Sequence, residues 1–102
     1  MKENVFVMVL RYLVSIDVID KHRPAHLEFL ESYYKKEIFI ASGAQVPRTG
    51  GIILAKGVSR EQLLTIIEQD PFYQYRCAEF QVFEFLPNKY LNVFGNMLKD
   101  IA

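Results

Sequence analysis

The sequence predicts a small α+β protein whose elements run β-α-β-β-α-β, an antiparallel sheet with both helices on one face. Three observations carry that prediction. Four runs rich in apolar, β-branched and aromatic residues stand at Val5–Tyr12, Ile38–Ala41, Ile52–Lys56 and Ala78–Leu86. Between the first and second runs, and again between the third and fourth, apolar residues recur three and four apart, which is helical spacing. The chain has 102 residues, about half of them apolar, enough to fill one core but not two.

The elements follow in order. Val5–Leu10 is a continuous apolar run and extends to Tyr12 as a strand. Leu13 to Ile19 is of mixed character and reads as a loop. A helix then opens near Asp20, a plausible N-cap, or at Pro24, a residue tolerated in a helix's first turn. Leu27, Leu30 and Tyr34 form its apolar stripe, while Glu28, Glu31, Lys35 and Lys36 point elsewhere. Ile38–Ala41 is a second strand ended by Ser42-Gly43. A loop from Gln45 to Gly51 holds Pro47 and the Gly50-Gly51 doublet, and leads to a third strand, Ile52–Lys56.

Ser59 opens the second helix, and Gln62 three residues later completes a capping box. Leu63, Ile66 and Ile67 are its buried stripe. Asp70-Pro71 ends it, because a residue before proline is pushed out of the α region. The fourth strand, Ala78–Leu86, loses its alternation between Val82 and Phe83, so it is either bulged or covered on both faces. Tyr90, Leu91, Val93, Phe94, Met97, Leu98 and Ile101 make the tail from about 88 to 102 too apolar to hang free. Residues 1–102 thus read as one domain with an apolar C-terminal tail. The order of elements is that of the ferredoxin-like folds. The first strand is apolar on both sides: Val5, Val7 and Val9 on one, Phe6, Met8 and Leu10 on the other. The helices can cover only one side. A second copy of the chain is expected to cover the other, with the tail as the alternative cover.

Composition narrows the function classes. Twelve basic and twelve acidic residues cancel, so neither a nucleic acid nor an anionic membrane is expected as a partner. The Val5–Leu10 run is too short for a signal-peptide core and far below the roughly 20 residues of a membrane span. A cytoplasmic location is therefore expected. Cys77 is the only cysteine; it cannot build an internal disulfide or a cysteine-rich metal site, and reads as a buried inert thiol.

Candidate chemistry begins with the histidines, whose imidazoles titrate nearest neutral pH. His22 and His26 lie one helical turn apart, but no acidic residue completes an HExxH arrangement, and no metal or cofactor is expected. His26 sits at the edge of the apolar stripe. It is either a proton-moving group in a cleft or a boundary histidine bonded to a loop carbonyl. Asp70 is either a turn residue bonded to nearby amides or a carboxylate with a distant partner. The second option gains from its position at a helix C-terminus, where a negative charge is unfavourable. Gly43, Gly50 and Gly51 match no phosphate-binding loop, and Ser42 has no local base.

Arg23-Pro24-x-His26-Leu27, Ser42-Gly43, the Gly50-Gly51 loop with the strand Ile52–Ala55, and Asp70-Pro71-Phe72 resemble, in order and spacing, the YCII-related family. The resemblance spans about residues 5–87. It implies a ferredoxin-like chain of the dimeric α+β barrel type, similar in architecture to muconolactone isomerase, that pairs through its sheet as a homodimer or higher oligomer. It further implies a His26–Asp70 pair as the active site, and a small-molecule substrate, with dehydrochlorination of chlorinated hydroxyaromatics among the suggested activities. Arg23, Ser42, Gly43 and Phe72 become the expected substrate contacts, with Tyr75 a further aromatic candidate. Two departures stand out. Ser42-Gly43-Ala44 replaces the Gly-Pro-like residues usual after the second strand, and the tail beyond Pro87 is longer than a minimal member needs. Two other functions stay open: a module that binds a small ligand without turning it over, and a purely structural dimerisation domain.

Overall fold

The computed structural model describes residues 4–99. Four strands, β1 (Val5–Tyr12), β2 (Phe39–Ala44), β3 (Gly50–Lys56) and β4 (Ala78–Phe85), form one sheet of order β2-β3-β1-β4, antiparallel throughout. The helices are α1 (Ile16–Lys35), α2 (Arg60–Ile67), the single turn α3 (Pro71–Gln74) and α4 (Asn92–Lys99). This is the ferredoxin-like arrangement that the sequence predicts, with α3 and α4 added. Phe6, Met8 and Leu10 of β1 face the helices, and join Ile53, Leu63, Ile66 and Ile67 in one core. At one end of that core Phe29, Tyr33 and Phe39 close an aromatic triangle, with ring centroids 5.3 to 5.7 Å apart. Such pairs add about 0.5–1.5 kcal/mol each beyond their burial.

Helix α1 starts four residues before the earlier of the two expected positions. Ser15, extended at φ −65° and ψ 158°, caps it by accepting from the Val18 amide, and Asp17 supplies a negative charge in its first turn. Pro24 consequently lies in the interior, where it forgoes one backbone bond; burial of Ile19 before it and of His26, Phe29, Leu30 and Tyr33 after it holds the helix together. The buried stripe therefore differs from the expected one. Leu27 is 47% exposed and Tyr34 only half-buried. The helix ends where Glu37 takes a left-handed φ of 59°, with amides 37 and 38 returning to the Tyr34 and Tyr33 carbonyls.

Strand β2 runs on through Ser42 and Gly43 instead of stopping at Ala41. These residues pair with Ile53 and Ile52, so the connecting loop shrinks to residues 45–49. Of the two readings of β4, a bulge or cover on both faces, the bulge is absent, since β4 pairs with β1 without a break from Ala78 to Phe85. The register shift falls in β2, between Phe39 and Ala41. Alternation slips in β4 because Phe83 and Phe85 project from the face opposite the helices, while Phe80 and Val82 pack beneath them.

Helix α2 begins as the sequence predicts. Ser59 accepts from the Gln62 amide at 3.1 Å, and the Gln62 side chain returns to the Ser59 amide at 2.8 Å. The tail folds into α4, with Tyr90 laid against Gly95 so closely that a Cβ there would sit 2.4 Å from its ring. Leu98 and Val5 are buried outside the main core cluster, whereas Leu91 and Val93 remain largely exposed. Ile101, part of the expected tail, lies outside the described residues.

Gly50 is where the sheet depends on a missing side chain. A Cβ at that position would stand 1.8 Å from the Leu10 carbonyl oxygen. Gly50→Ala is expected to cost about 3 kcal/mol or more, since backbone must move. Gly43→Ala, whose Cβ would meet nothing within 4 Å, is expected to fold with unchanged stability. Thermal denaturation of both variants checks the pair: melting temperatures lowered equally would contradict the close approach of β1 and β3.

Candidate functional site

The site is built where α1 crosses the short turn α3. Asp70 does not end α2, as the sequence reading supposed; α2 closes at Ile67, and Asp70 is the N-cap of α3 with Pro71 at the first helical position. It is therefore not electrostatically misplaced, because a carboxylate suits a helix N-terminus. Its Oδ1 accepts from the Phe72 amide at 2.9 Å and lies 2.8 Å from Nδ1 of His26. Asp70 has no solvent exposure, and its Oδ2 is enclosed without a hydrogen-bond partner among the described residues.

The Phe72 ring lies parallel to the His26 imidazole, centroids 4.0 Å apart and planes within 9°. The edge of Tyr12 meets Phe72 from the sheet side, at 6.2 Å. One capped turn thus supplies both the acceptor for the imidazole and the surface on which it rests. Both contacts fix the ring's rotamer, and the carboxylate assigns the proton to Nδ1, leaving Nε2 without a hydrogen-bond partner among the described residues.

His26 forms one wall of a pocket of about 170 Å³ between α1 and the sheet. Leu10 and Ile53 provide an apolar floor, Leu27 and Leu30 a helical wall, and Phe72 one end. Arg23 borders it, one turn before His26 on α1. Ser42 stands on β2 with its hydroxyl 2.7 Å from that of Tyr34. Gly43 and Gly51 line it too; at Gly43 the absent side chain leaves open space instead of a tight contact.

All six sequence-predicted site residues, Arg23, His26, Ser42, Gly43, Asp70 and Phe72, thus gather here: five line the pocket, and Asp70 lies behind His26. Tyr75 does not. It is largely exposed and stacks on His22 at 4.4 Å, so the two histidines face different partners. Tyr12 lines the pocket and Tyr34 holds the Ser42 hydroxyl, roles that the sequence reading passed over. Tyr12 was accessible to it, standing two residues beyond Leu10 on the same strand face.

Cys77 follows α3 and is fully buried. Burial, and then the nearby Asp70 charge, pushes its thiol above the ordinary range.

With the geometry in place, comparison with known proteins gives a consistent answer. The family model of the YCII-related domain matches residues 5–86. The chain belongs to the YCII-related family. Among curated protein sequences none matches it. Among solved structures it is similar to 5-chloro-2-hydroxyhydroquinone dehydrochlorinase of Burkholderia phenoliruptrix AC1100, whose structure is a complex with 2,5-dihydroxybenzoquinone. The TM-score is 0.68 at 20% identity, over 78% of this chain and 90% of that one. The likeness is one of fold. No helix among the described residues is long and apolar enough to cross a membrane.

Two outcomes follow from the geometry. Asp70→Ala removes the partner of a buried imidazole and the cap of α3 together, and should destabilise the fold by about 2–4 kcal/mol in urea unfolding. Asp70→Asn keeps an acceptor on the Phe72 amide and should cost clearly less; equal losses would mean that the cap contributes nothing. Cys77, its thiol pushed up in the folded state, holds its proton after the unfolded chain has lost it. Its contribution to stability is therefore complete below the unfolded pKa of about 8.5, and declines as pH rises above that value. Urea titrations at pH 7 and 9.5 should show a larger decline for the parent chain than for Cys77→Ala.

Proposed function

We propose that this chain is a small-molecule enzyme in which His26 and Asp70 perform acid–base chemistry on a substrate with one oxygen-bearing ring. The observation that carries the proposal is the 2.8 Å contact between a buried carboxylate and an imidazole in a pocket wall. Size supports the ring. A cavity near 150 Å³ accepts benzene, so about 170 Å³ suits a single six-membered ring whose oxygens reach the mouth. The apolar floor and the aromatic end suit its faces, while Arg23 and the Ser42–Tyr34 hydroxyl pair suit its oxygens.

In this reading His26 accepts a proton through Nε2 from oxygen or carbon of the substrate, and Asp70 orients the ring and steadies the imidazolium. Such a base typically contributes about 10²–10⁴-fold. Lyase, isomerase and dehydrochlorinase chemistry all fit one positioned base. Loss of HCl from the keto tautomer of a chlorinated hydroxyaromatic, in which the ring carbon bearing chlorine has taken up a proton, is redox-neutral: a hydroxyl proton goes to the base, its electron pair forms a new π bond, and chloride leaves with the electrons of its own bond. Membership of the YCII-related family and the resemblance to a dehydrochlorinase make that reaction the first to assay.

A second proposal concerns assembly. Val7, Val9, Ile52 and Leu54 are only half-buried on the sheet face away from the helices, beside the exposed Phe83 and Phe85. We infer that a second copy covers this face. Sedimentation should give twice the chain mass at micromolar concentration, and Phe83→Glu should give the single-chain mass; a monomeric parent chain would remove the partner.

The functional test is chloride release from a chlorinated hydroxyhydroquinone. The parent chain should turn over. His26→Ala should abolish turnover with the fold intact, and Asp70→Asn should slow it by a smaller factor. Binding of the ring without turnover by the parent chain would favour a ligand-binding module. Unchanged turnover in His26→Ala would remove the dyad.

A further inference from the structure

Arg23 borders the pocket from α1, and a second guanidinium is linked to the same helix. The second, Arg48, stands on the 45–49 loop, between the pocket-lining residues Ala44 and Gly51. That loop is fastened to the site on two sides. The Thr49 carbonyl accepts from the amide of Tyr12, a pocket residue. On the side of α1, Arg48 donates through one Nη to Oδ1 of Asp20 at 2.6 Å. Asp20 precedes Arg23 by one turn of α1 and also feels its charge. Arg23 and Arg48 thus set two permanent cations against the one carboxylate of Asp20.

The pairing is incomplete. Asp20 engages one nitrogen of a fork with five N–H donors, and Nε of Arg48 is enclosed without an acceptor. A guanidinium placed only to pin a loop would be expected to meet its carboxylate bidentately. Here donor capacity and net positive charge are left over, on a loop whose two ends adjoin the pocket in which the proposed function places a base. Proton removal by that base leaves an anion on the substrate, and a cationic rim stabilises that product of the transfer.

We infer that Arg48, restrained by Asp20, is a specificity-determining residue that selects ring ligands carrying a negative charge on a ring oxygen. This rests on the proposed function, because it assumes that a ring occupies the pocket. Asp20 sets the strength of the selection by neutralising part of the rim; without it, Arg48 is free to turn wholly to the ligand.

Two probes of similar size measure the selection by calorimetric titration. 2,5-Dihydroxybenzoquinone is an anion at pH 7, since its hydroxyls are conjugated to carbonyls. Hydroquinone, whose phenols titrate near pH 10, is neutral. The parent chain should bind the anion about tenfold more tightly than the neutral ring, as one charge-assisted hydrogen bond allows. Arg48→Gln should remove that preference and leave hydroquinone affinity unchanged.

Asp20→Asn separates charge selection from simple fastening of the loop. Both substitutions break the latch, so a structural role predicts weaker anion binding in both. Charge selection predicts opposite signs, with Asp20→Asn binding the anion more tightly than the parent. Loss of anion affinity in both variants, or a preference that survives Arg48→Gln, would overturn the inference while leaving the pocket reading in place. Failure of the parent chain to bind either probe would overturn both.

Discussion

The structure turns on one carboxylate oxygen. Oδ1 of Asp70 is shared between the Phe72 amide, which starts α3, and Nδ1 of His26, which lies near the middle of α1. The first bond orders the turn that carries Phe72; the second brings α1 against that turn and puts the imidazole on the Phe72 ring. A buried imidazole–carboxylate contact is a poor stabiliser taken by itself, because desolvation of the polar groups offsets most of their attraction. Apolar residues of the same volume would pack this corner as well. What they would not provide is an oriented ring nitrogen beside a cavity.

The legible parts of the sequence were those in which local chemistry and tertiary packing agree. The Ser59–Gln62 capping box announced α2, and β1 and β3 declared themselves through apolar runs whose helix-facing residues are buried. The start of α1 was missed because Pro24 attracted the boundary to itself. A proline is tolerated mid-helix when the flanking turns are held by burial, and residues 24 to 27 alone do not reveal that. The end of β2 was misplaced for a related reason: Ser42-Gly43 has turn chemistry, yet pairing with Ile52 and Ile53 overrides it.

The candidate site was legible only through resemblance. On local grounds His26 and Asp70 each had an ordinary reading, and the supposed electrostatic misfit of Asp70 came from assigning it to the wrong helix end. Its position as the cap of a four-residue helix is written in Asp70-Pro71, a cap residue followed by proline at the first helical position. The Asp20–Arg48 contact was beyond reach, since nothing in either segment names the other. The tail is a different case. It lies outside the span that the family model matches, its apolar residues were plain, and its helix was not, because Tyr90 packing on Gly95 has no local signature.

The account rests on the orientation of one imidazole. It is tested most directly by long-range ¹H–¹⁵N correlation spectra of the histidine ring nitrogens at neutral pH, for the parent chain and for Asp70→Asn. The account requires His26 in the parent chain to carry its proton on Nδ1, with that proton shifted far downfield by the carboxylate and Nε2 unprotonated, and requires the shifted resonance to vanish in the variant. A His26 protonated on Nε2 in the parent chain, or an Nδ1 proton indifferent to Asp70→Asn, would contradict it.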